Sequence, residues 1–390
     1  MTAATRPAPL DVAALVRDPA TRIVVTCGSG GVGKTTTAAA MALIGAEAGR
    51  RTVVLTIDPA RRLAQSMGLT ELDNTPREVE GVAEGQLFAM MLDMKRTFDD
   101  VVLEHSTPDR AAQIFANPFY QSLSSSFAGT QEYMAMEKLG QLVATQQWDL
   151  VVVDTPPSRS ALDFLDAPNR LGRFLDGRMI RLLTAPAKAG GKAYLKVVTV
   201  SVGMVARVFT KVIGGDLLND LSTFVTALES MFGGFRERAQ QTYDLLKRPG
   251  TAFVVVAAPE PDALREASYF VERLSAEQMP LAGVIVNRTR RAAAGSGAEP
   301  LTAARAEVAA DTVAAKDAGE AGELAAAALR VHVEVATAAE HDARMTRRFA
   351  SAHPEVPLVN VPALPTDVHD LEGLREIGTL LGARSEVIAG

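Results

Sequence analysis

The chain has 390 residues, of which 47% are hydrophobic and 22% charged, and its formal net charge is −6. This length and composition exclude a small disulfide-stabilised scaffold and supply a large core, for one big domain or two smaller ones. The acidic balance, with no dense basic stripe, argues against nucleic acid as a partner.

Targeting and membrane segments are not expected. The first 19 residues contain no uninterrupted apolar region, so we expect no signal peptide. No run of about 18 uncharged apolar residues occurs, so we expect no transmembrane segment. The single cysteine, Cys27, excludes a disulfide or a cysteine-built metal site within one chain. We therefore expect a cytoplasmic protein, with peripheral membrane association as an alternative.

Short apolar runs rich in valine and isoleucine predict buried parallel strands. In chain order they are Ile23–Cys27, Thr52–Ile57, Leu87–Leu92, Leu150–Val153, Phe253–Ala257, Gly283–Val286 and Leu358–Val361. Helical patterns lie between several of these runs, for example over residues 36–48 and 261–274. This alternation predicts an α/β fold with a doubly wound, mostly parallel sheet.

The segment between the first strand and the first helix carries the most information. It reads Gly28-Ser29-Gly30-Gly31-Val32-Gly33-Lys34-Thr35-Thr36. Glycines in such a loop let backbone N–H groups curl around a phosphate, and the N-terminus of the following helix favours the same anion. All nine residues are candidates for nucleotide binding. Lys34 is placed to reach the β- and γ-phosphates, and the Thr35 hydroxyl to bind Mg²⁺.

Two later strands are followed by an acidic residue, and the carboxyl ends of parallel strands face the ligand crevice in this fold. Asp154 ends the fourth strand and precedes Thr155-Pro156-Pro157-Ser158, where an acid typically holds Mg²⁺ in phosphate-loop enzymes. Asp58 ends the second strand and is a candidate both to bind Mg²⁺ and to orient or deprotonate an attacking water. The alternative for Asp58 is an aspartate that caps a helix at a tight turn.

Two long segments interrupt the strand–helix alternation, namely residues 95–147 and 160–247, and both are mostly helical in pattern. We expect them to form a helical inserted subdomain within a single phosphate-loop domain that spans residues 1–390. Residues 291–352 are rich in alanine, glutamate and arginine and predict a loop followed by one or two long helices. The remaining core is predicted to comprise approximately residues 20–94, 148–159, 248–290 and 353–390.

Together these motifs resemble those of the deviant Walker A ATPases, in particular the arsenite-pump ATPase (ArsA) and the ATPase that targets tail-anchored membrane proteins. The MinD and ParA positioning ATPases are more distant relatives. Besides the phosphate loop, the resemblance rests on Thr56-Ile57-Asp58-Pro59-Ala60, Ala128-Gly129-Thr130-Gln131-Glu132, Asp154-Thr155-Pro156-Pro157-Ser158, Phe253-Val254-Val255-Val256 with Pro259-Glu260, Val284-Ile285-Val286-Asn287, and Val361-Pro362-Ala363-Leu364-Pro365 with Leu371-Glu372-Gly373-Leu374. It covers most of the chain except parts of the helical insertions and the alanine-rich segment.

The resemblance implies Mg²⁺-dependent ATP hydrolysis that serves as a conformational switch in a dimer. It implies that Asp58 lies in the first switch and positions the attacking water, and that Asp154 begins the second switch. It also implies that Asn287 contacts adenine and that Pro362 belongs to a loop that closes over adenine. From the residues alone, Asn287 is equally well explained as a cap at a turn.

Two departures from the family pattern limit these implications. Ser29 stands where the family has a second lysine that crosses a dimer interface to the partner's nucleotide, and a hydroxyl cannot replace that cation. Slow hydrolysis, a substitute residue and a lysine from another subunit are the open explanations. Both a homodimer and a heterodimer with a paralogous ATPase subunit are therefore open.

Cys27 alone cannot hold arsenite, which needs several thiolates, and the family's Cys-x-x-Cys zinc clasp is missing.

Residues 194–214 are unusually apolar, and at helical spacing one face carries Val198, Val202, Val205, Phe209 and Val212. In the tail-anchor branch, inserted helices form a groove for a hydrophobic client, and the alternative is a helix packed into its own subdomain.

Three functions are open: an ATPase with a hydrophobic or membrane-protein client, a regulatory subunit with weak intrinsic ATPase activity, and a MinD/ParA-type positioning ATPase. The absence of a basic amphipathic helix at 379–390 argues against the MinD type.

Overall fold

A computed structural model describes residues 7–58, 62–118, 120, 121, 124, 130–156, 237–291, 301–316 and 319–382. Within these residues, eight strands form one sheet. They are β1 (Ile23–Cys27), β2 (Arg51–Thr56), β3 (Arg77–Glu78), β4 (Gln86–Met91), β5 (Leu150–Asp154), β6 (Thr251–Ala257), β7 (Leu281–Thr289) and β8 (Leu358–Pro362).

Helices lie before, between and after the strands along the chain. They are α1 (Val12–Arg17), α2 (Lys34–Glu47), α3 (Arg62–Ser66), α4 (Met94–His105), α5 (Pro108–Ala116), α6 (Thr130–Ala144), α7 (Pro261–Ala276), α8 (Ala303–Ala314), α9 (Gly319–Ala352) and α10 (Leu371–Gly382). Residues 237–246 are also helical. Among the described helices, none is long and apolar enough to cross a bilayer.

The strand order is β3-β4-β2-β5-β1-β6-β7-β8, and the pairs from β2 through β8 are parallel. Strands β1, β5 and β6 are buried along their whole length, which explains why their sequences are continuous apolar runs rather than alternating ones. The predicted α/β class with a doubly wound, mostly parallel sheet is confirmed, and all seven predicted strands are present. The sequence missed β3, a two-residue exposed strand that pairs antiparallel with β4 and has no apolar pattern.

Helix α2 carries the residues that follow the phosphate loop and packs on β1, β2 and β5 together with α1 and α10. Its middle carries the buried alanines Ala38, Ala39, Ala40 and Ala42, whose small side chains let the helix approach the sheet closely. At Gly45, an added Cβ would stand 2.6 Å from Cδ2 of Leu150, so the closest approach requires glycine. The predicted helices at 36–48 and 261–274 correspond to α2 and α7.

The described residues fall into two compact units. One lies within residues 7–90, 148–156 and 247–382 and contains nearly all of the sheet. The other lies within 91–147 and 237–246 and is helical. In its interior, the Arg238 guanidinium donates to the carboxylate of Glu137, which is only 2% exposed, at 2.9 Å.

The alanine-rich segment contains two helices, α8 and α9, which pack against each other. The loop predicted before them includes residues 292–300, which lie outside the described residues. The same holds for most of the second insertion, including the apolar segment 194–214, and for residues 128–129 and 383–390. The predictions made for those segments remain predictions.

Candidate functional site

The phosphate loop connects β1 to α2, and its two end glycines are required by their surroundings. Gly28 has φ 152°, and a Cβ there would overlap the carbonyl oxygen of Val256. Gly33 caps α2 in the left-handed conformation, with φ 90°, and a Cβ there would overlap the side-chain amide of Asn287. Larger residues at either position would displace the loop, so the close packing of the loop on β6 and β7 depends on glycine.

Lys34, the first residue of α2, places its positively charged ammonium group inside this loop. Its side chain is nearly buried, and Nζ donates a hydrogen bond to the carbonyl oxygen of Ser29 at 2.8 Å. Burial lowers the pKa of the Lys34 ammonium group, whereas nearby acidic groups, Asp154 foremost, raise it. The ammonium therefore bridges the two ends of the loop, where a bound phosphate would be a stronger partner than a carbonyl.

Asp154 ends β5, and the neighbouring strands place Thr26 and Thr56 beside it in register. The carboxyl group is fully buried, and its Oδ2 accepts a hydrogen bond from the Thr56 hydroxyl at 2.9 Å. Its Oδ1 is also buried but has no hydrogen-bond partner among the described residues. Burial raises the pKa of Asp154 to about 6, against the opposing effects of the Thr35 and Thr56 hydroxyls and of Lys34.

The free oxygen of Asp154 fits a divalent cation. A buried carboxylate oxygen without a donor costs free energy, which a bound cation or its water would recover. The Thr35 hydroxyl lies near the same carboxylate, and Mg²⁺ prefers such oxygen ligands. Thr35 and Asp154 are therefore suited to hold Mg²⁺, as the sequence predicted, although the assignment of metal ligands remains a proposal.

Asp58 lies two residues beyond β2, and its charge acts on both Lys34 and Asp154. Its backbone N–H donates to the Thr56 hydroxyl at 3.2 Å, which joins Asp58 to the hydrogen bond between Thr56 and Asp154. Residues 59–61 lie outside the described residues, and α3 begins at Arg62. The structure thus places Asp58 beside the phosphate loop, while its roles in positioning water and binding Mg²⁺ remain predictions.

Replacing Asp154 with asparagine tests the cost of the buried charge. The folded carboxyl ionises near pH 6 and the unfolded one near its ordinary value of 3.8, so the wild-type protein should lose stability as the pH rises between these values. The difference between these two pKa values corresponds to roughly 3 kcal/mol of stability. We expect Asp154→Asn to gain stability relative to wild type across this window, measured by denaturant unfolding in EDTA. If the difference in unfolding free energy between Asp154→Asn and wild type were the same at pH 4, 6 and 8, the prediction would be wrong.

Asn287 and Pro362 lie at the carboxyl ends of the neighbouring strands β7 and β8. The buried Asn287 amide donates to the carbonyl oxygen of Val32 at 2.8 Å, so in this structure Asn287 supports the phosphate loop. Pro362 is in register with Thr289 on β7. Both residues therefore lie at the same edge of the sheet as the loop. Their contacts with adenine remain predictions.

Two residues of the site were missed by the sequence analysis. Thr56 links Asp58 to Asp154, and its signal was a polar residue at the end of an otherwise apolar strand. Arg288 donates from Nη1 to the carbonyl oxygen of Gly31 at 3.0 Å. No local pattern marks Arg288, because its partner lies 257 residues away in the sequence.

A cavity of about 570 Å³ lies beside the loop and is bordered by residues 29–32, the turn between β6 and α7, and the arginines Arg288 and Arg290. This volume is within the range of small-molecule sites. The cavity carries both signs of charge, since Glu260, Asp262 and Glu266 also line it. The loop therefore has an open, polar space beside it as well as the buried groups Lys34 and Asp154.

Comparison with known proteins finds one family and several ATPases that are similar to this chain. The family of anion-transporting ATPases matches residues 21–305. ATPase ARSA2 of Chlamydomonas reinhardtii is 29% identical over 67% of this chain and 66% of its own length. ATPase GET3 of Podospora anserina is 26% identical over 73% of this chain and 78% of its own length. ATPase ASNA1 homolog 1 of Paramecium tetraurelia is 30% identical over 38% of this chain and 44% of its own length. The match with the Chlamydomonas protein thus spans slightly less than two thirds of that protein.

Proposed function

This chain belongs to the ArsA family of anion-transporting ATPases, and from that premise we propose that it binds and hydrolyses ATP with Mg²⁺ and acts as a nucleotide switch. One observation carries the proposal: a buried lysine and a buried carboxylate with a free oxygen lie together at the glycine loop before α2. A buried cation beside a helix N-terminus suits phosphate, and the carboxylate suits the cation that accompanies it. The names of the relatives, all ATPases, support the same activity.

In the proposed reaction, each side chain has a separate task. Lys34 leaves the carbonyl of Ser29 and donates to the β- and γ-phosphates, where it stabilises the negative charge of the transition state. Thr35 and Asp154 would hold Mg²⁺, which when bound would neutralise phosphate charge. Asp58 accepts a hydrogen bond from the attacking water and orients it toward the γ-phosphate. Asn287 and Pro362 border the adenine.

The direct test is calorimetric titration of the purified chain with ATP and with ADP, each with Mg²⁺ and with EDTA, followed by measurement of phosphate release. We expect binding of both nucleotides, and tighter binding when Mg²⁺ is present. No binding of either nucleotide would refute the proposal. Binding without any phosphate release, alone or with a partner, would refute the enzymatic part of it.

We further propose that the switch is a dimer that handles a hydrophobic or membrane-protein client. The support is the resemblance to the tail-anchor targeting ATPase and the apolar sequence of residues 194–214. We also propose that the helical segments 95–147 and 160–247 form a subdomain inserted into a single ATPase domain, and that the protein works in the cytoplasm or at a membrane surface.

A second candidate function is a nucleotide-binding regulatory subunit that pairs with a paralogous active subunit. Ser29 favours it, because the family's lysine is missing at this position. The Ser29 carbonyl accepts the Lys34 hydrogen bond, while its hydroxyl is buried and has no hydrogen-bond partner within the described part of the chain. A hydroxyl supplies no charge to a transferring phosphate, so the isolated chain should turn over slowly.

Substitution of Ser29 distinguishes the two functions. We expect Ser29→Lys to raise the turnover of the isolated chain by about tenfold or more, because a donated cation stabilises the transition state. Ser29→Met, of similar length but without charge, should leave turnover at the wild-type value. Fast hydrolysis by pure wild-type protein would rule out the regulatory function. Failure of Ser29→Lys to raise turnover would show that the lysine position does not limit this chain.

A further inference from the structure

The carboxyl end of β7 contacts the phosphate loop through two successive side chains. The Asn287 amide donates to the carbonyl oxygen of Val32 at 2.8 Å, and the Arg288 guanidinium donates to that of Gly31 at 3.0 Å. One strand therefore holds two successive carbonyl groups of the loop. Asn287 is buried, whereas Arg288 is exposed and lines the cavity beside the loop.

The backbone of Arg288 is in a conformation that a residue with a Cβ seldom adopts. Its φ is 59°, in the left-handed region, and the pairing of β7 with β8 shifts register at the same place. Such a conformation is unfavourable for arginine and persists only where the surroundings impose it. Here both sides are fixed, since Asn287 is bonded to the loop and Arg290 to the buried Asp342 of α9.

Arg290, the other arginine that lines the cavity beside the loop, is bonded to α9. Arg290 donates to the Asp342 carboxylate from its backbone N–H at 2.8 Å, from Nε at 3.0 Å and from Nη2 at 2.7 Å. These bonds commit its side chain to α9. The Arg288 guanidinium has five N–H donors in a rigid plane, and Nη1 donates to the loop at Gly31.

The geometry of the peptide bond gives these contacts a consequence for phosphate binding. In a planar trans peptide, the carbonyl group and the following N–H point in opposite directions. When Arg288 holds the carbonyl of Gly31, the N–H of Val32 points away from Arg288. In the same way, the bond from Asn287 to Val32 directs the N–H of Gly33. The two side chains thus fix the direction of two successive donors in the loop that would surround a phosphate.

We propose that Arg288 is a positioning residue for the nucleotide: it holds the Gly31 carbonyl so that the phosphate-binding N–H groups are oriented before the nucleotide arrives. This inference rests on the proposed function, since it assumes that the loop binds a nucleotide. Arg288 acts through the loop, and the energy stored in its left-handed backbone is offset by the bonds on either side. Loss of its donor leaves the loop free to turn these peptide groups, so binding must then pay the entropy of ordering them.

The test compares Mg²⁺–ADP affinity by calorimetry for wild type, Arg288→Met, Arg288→Lys and a control, Arg330→Met, which removes an exposed arginine from α9. We expect Arg288→Met to weaken ADP binding by about tenfold, as for one charge-assisted hydrogen bond. Arg288→Lys, which keeps a charged donor, should bind ADP with an affinity within about threefold of the wild-type value. The control should bind like wild type, and melting temperatures without nucleotide should be similar for all four proteins.

Several outcomes would overturn the inference. Unchanged ADP affinity in Arg288→Met, with normal binding by wild type, would refute the role of Arg288 and leave the proposed function intact. If Arg288→Met both weakened ADP binding and lowered the melting temperature, and Arg288→Lys recovered neither, Arg288 would have a purely structural role. Absence of ADP binding by wild type would refute the proposed function and this inference with it.

Discussion

Replacing Lys34 with alanine should raise the dissociation constant for Mg²⁺–ATP by at least about 100-fold. The substitution removes two or more charge-assisted hydrogen bonds to phosphate, each contributing about 1.5–3 kcal/mol. It also removes the cation that lowers the pKa of Asp154, so the buried carboxyl would ionise less readily at neutral pH and hold Mg²⁺ less well. Calorimetric titration with a non-hydrolysable ATP analogue measures the effect directly.

Two controls separate binding from folding. Lys316→Ala removes an exposed lysine two residues beyond α8 and should bind like wild type. Lys34→Met keeps most of the buried side-chain volume without the charge, and it should lose affinity as Lys34→Ala does. If Lys34→Met bound ATP as tightly as wild type, the phosphate site would not be at this loop.

Replacing Asp58 with asparagine should slow hydrolysis by about 10²–10⁴-fold while changing ATP affinity by less than about threefold. Asparagine keeps the shape of the side chain but cannot accept a proton or carry the charge that orients water. Single-turnover hydrolysis, with protein in excess over ATP and the cleaved phosphate measured after an acid quench, detects even slow cleavage and separates it from product release. The large effect on rate and small effect on affinity would mark a group that acts in the transition state.

Asp311→Asn, at an exposed position on α8, is the matched control and should hydrolyse ATP at the wild-type rate. Equal rates for Asp58→Asn and wild type would leave Asp58 as a structural residue at the turn after β2. A parallel loss of affinity and rate would instead indicate that Asp58 mainly helps to bind Mg²⁺–ATP.

The fold class and the phosphate loop followed from local sequence patterns. Continuous apolar runs of about five residues predict strands buried on both faces, and the strand–helix alternation predicts a parallel sheet. The glycine loop was recognised in the same way, since its conformation depends on residues adjacent in the chain. Asp58 and Asp154 were located because each directly follows an apolar run. These features need no knowledge of how distant segments meet.

What the tertiary structure alone decided is which distant residues meet at that loop. Thr56 bonds to Asp154 across 98 residues, and Asn287 and Arg288 reach the loop across 255 and 257. These contacts depend on the order of strands in the sheet, which places β5 between β2 and β1 and packs β7 beyond β6. The raised pKa of Asp154 has the same origin, because its carboxyl group is buried only when the strands and the helices pack together. Local patterns specify the elements, whereas strand order and burial depend on the packing of the whole chain.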